Sequence, residues 1–316
     1  MSKPILDRPA NRNRLAPVEL ARRRVFLALA EAELPRAGGT RGTDGGKGVR
    51  MAEQLRCYYD KLTWAEMRQA IAEERVIVLP VGTTEQHGPH LPLDVDNYLC
   101  QSVCEGAARL VPDDVLLMPP LSYGFNWHHI DFPGTIGIAW DNYVRFLLDI
   151  IKSVAHHGFK KVLIVNGHGS NRILVEVAAR QATMDNTVIC AAFSYFELGL
   201  DAIREVRESP RGWAAHADEL ETSLYLYLRP DGVRRDLIQA ENNMLPSDFW
   251  WQDVEAGGSI GMMEWWSTFS HTGVLGDPTL ATREKGEVLY KAMTEALAAL
   301  VREFKARPLR PREDHH

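Results

Sequence analysis

The chain has 316 residues, 45% hydrophobic and 25% charged, the balance of an ordinary folded protein with room for one large core. Its formal charge of -6 argues against a nucleic-acid surface, and no stretch approaches the roughly 18 uninterrupted apolar residues of a membrane span. Cys57, Cys100, Cys104 and Cys190 form no CxxC pair and are too sparse for a disulfide scaffold, so reduced thiols and a cytoplasmic location are expected.

The first fifty residues carry +6 and the remainder -12, so the two parts differ in kind. Arg22–Arg24 precede the apolar run Val25–Ala30, but Glu31 and Glu33 follow at once without a small-residue cleavage site, which argues against a secretory signal. Gly38–Gly48 reads as a flexible linker, and Met51 directly beyond it is an alternative start. Residues 1–50 are therefore taken as a dispensable extension, 51–306 as a catalytic domain and 307–316 as a Pro/Arg-rich tail.

From Trp64 onward, amphipathic stretches alternate with short β-branched runs. In chain order the pattern predicts a helix over Trp64–Glu73, a strand over Arg75–Val81, a helix over Asn97–Leu110 and a strand over Val115–Met118. A helix over Asp141–His156, a strand over Lys161–Val165, a helix over Asn171–Met184 and a strand over Thr187–Phe193 follow, then helices over Ala217–Leu228 and Arg283–Phe304. Strands apolar on both faces belong in a buried, mainly parallel sheet, so the fold class is α/β, a three-layer α/β/α sandwich.

Three segments carry chemistry. After the first strand, TEQHGPHLPLDVD crowds ligand types into a path fixed by Gly and Pro, at the strand end where sites form in parallel sheets. Glu85 and His87 are two apart and leave extended backbone on the same side, with Asp96 at the start of the next helix, unless Asp94 or Asp96 is merely a helix cap. The second segment, Asn166-Gly-His168-Gly-Ser-Asn171, puts His168 at the same sheet edge, though a Gly-His-Gly run is often only a turn. The third, His216-Ala-Asp-Glu219-Leu-Glu221, is read as a helix start with His216 and Glu219 on one face. The helix dipole alone accounts for its acidic residues but disfavours a charged His216 there.

Together, TEQHGPHLPLDVD, NGHGSN and HADELETS resemble the creatininase family of metal-dependent amidohydrolases over roughly residues 60–300. Phe132–Thr135, Gly273–Thr282 and Glu284–Gly286 resemble weaker family segments. The resemblance implies two divalent ions, with Glu85 and His168 on one, His87 and Glu219 on the other, and Asp96 bridging. Creatininase takes a glutamate from the turn after Asn-Gly-His. Ser170 stands there in this chain, so Glu219 is expected to supply the last carboxylate and creatinine itself is not expected as the substrate.

Three carboxylates and a hydroxide would neutralise two divalent ions, and mixed N/O ligation suits Zn, Mn or Fe. A metal-bridging hydroxide would attack the substrate carbonyl, with His216 as proton carrier. Asn126, His128 and His129 are the candidate substrate-binding residues, because the segment occupies the place of a family Ser-x-Glu-His pattern, with Asn126 and His128 standing for the serine and glutamate. Trp213, Trp250, Trp251, Trp265 and Trp266 fall in one stretch, read as core, subunit interface or pocket lid. The expected activity is hydrolysis of a non-peptide C–N bond, a cyclic amide or formamide, in a small polar metabolite. The alternative is C–C ring opening of a cyclic polyol ketone such as a dehydro-inosose. A homo-oligomer, a hexamer by family resemblance, is expected, with no nucleic-acid or membrane partner.

Overall fold

The computed structural model describes residues 55–185, 188–255 and 257–316. The expected extension over residues 1–50 and the alternative start at Met51 lie outside them. Residues 307–316 contain no helix or strand.

Strands β1 (Val76–Val81), β2 (Val115–Leu117), β3 (Lys161–Asn166) and β4 (Ile189–Ser194) form one parallel sheet in the order β2-β1-β3-β4. Because side chains alternate across a strand, each apolar run feeds two cores. Val76 and Val78 of β1 join Leu163 and Val165 of β3 on one face, while Ile77, Leu79 and Val81 join Val162 and Ile164 on the other. Each such side chain contributes about 1.5–3 kcal/mol on full burial, which is why these runs settle inside the sheet.

Helices cover both faces. On the first lie α2 (Val95–Leu110), α6 (Glu219–Leu228) and α7 (Arg283–Ala306), contributing Leu99, Val103, Leu220, Leu224, Met293 and Leu297. On the second lie α1 (Trp64–Ala72), α3 (Trp140–His157) and α4 (Arg172–Asp185), contributing Ala70, Leu147, Ile151, Val175 and Ala178. Their limits have local causes. Thr63 and Glu66 form a reciprocal capping box at the start of α1, and Gly158 at φ 112° closes α3 in the left-handed region.

Two pieces differ from the sequence expectation. A short helix, α5 (Leu200–Val206), and a two-stranded antiparallel sheet, β5 (Ala214–His216) with β6 (Leu275–Gly276), were not anticipated, being too short to show a period. The third chemical segment is also not helical from Ala217. His216 ends β5, Ala217 turns the chain at φ 49°, and Asp218 caps α6 by accepting the Leu220 and Glu221 N–H groups.

The register sets up the site. Val81 of β1 lies opposite Asn166 of β3, so the two strands release their chains side by side. Chain order reverses there, with β2 beyond β1 on one side and β4 beyond β3 on the other, which opens a crevice at the carboxyl ends.

Candidate metal centre

Residues 82–87 leave β1 in irregular backbone and run over the start of α2, while Gly167 and His168 leave β3 beside them. A Cβ on Gly167 would stand 2.3 Å from the Asp96 carbonyl oxygen, so the glycine is what lets this turn approach α2. Asn166 holds the turn, its Nδ2 donating to the His168 carbonyl and its Oδ1 accepting the His168 N–H.

Glu85, His87, Asp96 and His168 are all buried at this crevice. His168 Nδ1 lies 3.2 Å from Glu85 Oε2 and 3.1 Å from Asp96 Oδ2, and His87 Nε2 lies 3.2 Å from Asp96 Oδ1. Asp96 thus faces both imidazoles. Each ring is oriented by backbone: His168 Nε2–H donates to the Phe125 carbonyl and His87 Nδ1–H to the Glu85 carbonyl, turning the other nitrogen inward.

Glu219 is not in this cluster. Its carboxylate points away, receiving the Lys285 Nζ at 2.5 Å and the backbone N–H groups of Glu208 and Ser209 at 3.0 and 2.8 Å. Glu221 is the acidic residue that α6 turns inward, with Oε2 3.8 Å from His87 Nε2 and accepting the Ala217 N–H at 2.6 Å. The expectation of Glu219 came from the resemblance, with Ser170 vacating the alternative position, and from the reading that His216 and Glu219 shared one helix face. Because α6 begins only at Glu219, the spacing of three residues carries no facial meaning.

His216 enters from β5, its Nδ1 3.3 Å from Glu85 Oε1 and its Nε2 2.8 Å from the Gln86 carbonyl. His129 lies in the same cluster, its Nε2 3.6 Å from Glu85 Oε1 and its ring stacked on Trp266 at 4.2 Å between centroids. Among the described residues, three groupings could therefore hold a cation: Glu85, Asp96 and His168; His87, His216 and Glu221; and Glu85, His129 and His216.

The donor set fits metal ions on a structural ground. Both Glu85 oxygens, His87 Nε2 and Asp96 Oδ2 are buried without a hydrogen-bond partner, a costly state for polar atoms that a cation between them relieves. Without a cation, protons must balance the charge. Burial pushes Glu85 up to about 8, against the pull of His168 and helped by Asp96. Burial opposes a charged His168, but Glu85 and Asp96 outweigh it and raise the ring to about 9. His87 is raised in the same way, Asp96 and Glu221 overcoming burial, and Asp96 itself is held well below the usual carboxylate range by His87 and His168 despite its burial. His129 and His216 behave oppositely: burial first, then neighbouring imidazoles, keeps both well below the ordinary range.

Of the other residues singled out in the sequence, His128 is buried with Nε2 2.9 Å from Ser170 Oγ. Asn126 is buried with Nδ2 3.4 Å from Thr83 Oγ1 and its Oδ1 without a partner. The tryptophans separate. Trp266 belongs to the cluster, whereas Trp213, Trp250 and Trp251 line a cavity of about 790 Å³ with Arg211, whose guanidinium stacks 3.8 Å above Trp251.

Residues 60–301 match the creatininase family, described as creatinine amidohydrolase. The chain belongs to the creatininase family. It is accordingly a metal-dependent hydrolase with a creatininase fold. A creatininase structure with manganese superposes with a TM-score of 0.68 at 28% identity, covering 79% of this chain and 99% of that one. The chain is 33% identical over 245 residues to the mycofactocin precursor peptide peptidase of Mycobacterium tuberculosis, covering 73% of this chain and 86% of the relative. It is 27% identical over 268 residues to the 3-dehydro-scyllo-inosose hydrolase of Thermotoga maritima, covering 79% and 84%.

Within this creatininase-family site, sequence reasoning missed Glu221, Trp266 and Gln86. It also placed His129 with the substrate rather than beside Glu85. Glu221 stood two residues beyond the chosen carboxylate, and only the start of α6 separates them. Gln86 stood between two singled-out residues, but its partners Gly273, His129 and His216 come from distant segments.

Proposed function

We propose that this hydrolase cleaves an amide-type C–N bond, with a cyclic amide or formamide of a small polar metabolite as the leading substrate. The reading rests on the buried cluster whose inward atoms lack hydrogen-bond partners, and on relatives named creatininase and peptide peptidase. Glu85, Asp96 and His168 would hold one divalent ion, and His87 with the two carboxylates that face its Nε2, Asp96 and Glu221, a second, Zn, Mn or Fe by the donor set. When bound, the ions supply a water of lowered pKa and polarise the scissile carbonyl.

The chain's own residues do the rest. His216 Nε2–H is engaged by the Gln86 carbonyl, so Nδ1 is left to take a proton and return it to the leaving nitrogen. Trp266 and His129 wall the cluster against bulk water. Ser170 and His128 form a neutral pair where creatininase carries a carboxylate, and with Asn126 they are the proposed substrate contacts. Burial keeps His128 neutral, lowering it to about 3.

C–C ring opening is the second reading, favoured by the inosose hydrolase relative. A panel of lactams, formamides, short peptides and inosose-type ketones separates them. Release of amine, ammonia or formate supports C–N cleavage, and an acid without nitrogen release refutes it in favour of the second. Among the described residues no helix is long and apolar enough to cross a membrane, and a cytoplasmic homo-oligomer, a hexamer by family resemblance, is the proposed state.

A further inference from the structure

Gln86 lies between two candidate ligands, yet its side chain points away from both Glu85 and His87. Its amide orientation is fixed from both ends. Oε1 accepts the Gly88 N–H at 2.9 Å, and Nε2 faces the Gly273 carbonyl at 3.0 Å, which can only accept. The opposite assignment would set a donor against a donor and an acceptor against an acceptor. Space is reserved for it as well: a Cβ on Gly273 would stand 1.8 Å from Oε1, and Gly273 sits at φ 92°.

The amide has two hydrogens and three neighbours. One hydrogen goes to the Gly273 carbonyl. For the other, His129 Nδ1 at 2.9 Å and His216 Nε2 at 3.0 Å compete. The main chain decides between them. His216 Nε2 is also 2.8 Å from the Gln86 carbonyl, so it must carry a hydrogen and cannot accept one. The second amide hydrogen therefore goes to His129 Nδ1. That nitrogen is bare, and the ring's hydrogen is on Nε2.

We propose that Gln86 is a positioning residue that imposes opposite tautomers on two histidines, so that His129 presents an N–H and His216 a bare nitrogen toward the same Glu85 oxygen. The two rings reach that oxygen at 3.6 and 3.3 Å. Without the amide His129 could adopt either tautomer while the Gln86 carbonyl still fixed His216, and a site needing one donor and one acceptor would be correctly set in only a fraction of molecules. Trp266 locks the arrangement, its ring stacked on His129 and its Nε1–H donating to the same Gly273 carbonyl at 2.8 Å. The functional meaning rests on the hydrolase reading above, whereas the proton placement does not.

The test is nitrogen NMR on the full chain labelled with ¹⁵N in its histidine rings, with and without added zinc. Signals are assigned by their loss in His129→Gln and His216→Gln. In the unsubstituted protein His129 should show a bare Nδ1 and a protonated Nε2, and His216 a protonated Nε2. Gln86→Met, which removes both hydrogens at similar size, should abolish the His129 preference and leave the His216 Nε2 proton in place. A protonated Nδ1 on His129 in the unsubstituted protein overturns the proposal, and so does a His129 pattern unchanged in Gln86→Met. The first measurement needs no variant, so it decides even if Gln86→Met does not fold. No substrate enters either, so a chain inactive on every amide would remove the hydrolytic reading and leave this one standing.

Discussion

Replacing Glu219 and Glu221 separately by alanine should produce opposite phenotypes, because two positions on different faces of the first turn of α6 aim the two carboxylates at different partners. Glu219 is fully buried and joined to Lys285, itself only 11% exposed, at 2.5 Å. Breaking a buried ion pair costs about 3–5 kcal/mol, since the remaining charge is left uncompensated. Lys285 keeps Glu208 at 2.6 Å and the Leu280 carbonyl at 2.8 Å, so the lower end, about 3 kcal/mol, is appropriate. For a domain of this size that lowers Tm by about 6–12 °C. Although burial opposes it, Lys285 and the Ser209 N–H hold the Glu219 carboxyl below its usual range. Its contribution is then complete above the unfolded value of about 4.3 and is lost as pH falls through the lower folded value, so the Tm difference should shrink in acid. Thermal melting with metal analysis on the same samples reads both effects. Glu219→Ala should melt lower with its metal retained, while Glu221→Ala should lose metal with a smaller change in Tm. The reasoning fails if Glu219→Ala sheds metal without loss of stability while Glu221→Ala keeps a full complement.

Asp96→Ala should abolish both metal binding and turnover, as Asp96 faces both imidazoles, and full activity of metal-free protein would refute the metal centre. His216→Ala is expected to keep its metal and lose turnover by a factor of about 10²–10⁴, measured by elemental analysis beside kcat; loss of metal instead would place His216 among the ligands. Zinc affinity should rise with pH. Glu85 at about 8 and His168 at about 9 hold protons that zinc must displace, so the apparent constant should increase about tenfold per pH unit for each proton displaced, up to that range. Competition titration from pH 6.5 to 9 reads the slope, and a flat profile refutes the proton assignment.

The four main strands and six of the helices were legible because continuous apolar or amphipathic runs mark them, even where, as in β2, the strand itself is only three residues long. Val76–Val81 and Lys161–Asn166 read as buried strands since apolar residues occupy both faces, and a candidate site was legible because Glu85, His87 and His168 follow those strands closely while Asp96 opens the next helix. Ala214–His216 and Leu275–Gly276 lie in no continuous β-branched run and left no such trace. They exist because each pairs with the other across the sequence, Ala214 with Gly276 and His216 with Leu275.

The sequence by itself therefore determined the strands of the sheet, its helical layers and the four candidate ligands gathered at one sheet edge, all consequences of local pattern and chain order. Only the tertiary structure decided which carboxylate of α6 faces inward, that His129 stands beside Glu85, and that Gln86 binds Gly273 and two histidines. Orientation about a helix depends on where the helix begins, and the partners of a buried amide depend on which distant backbone groups pack against it.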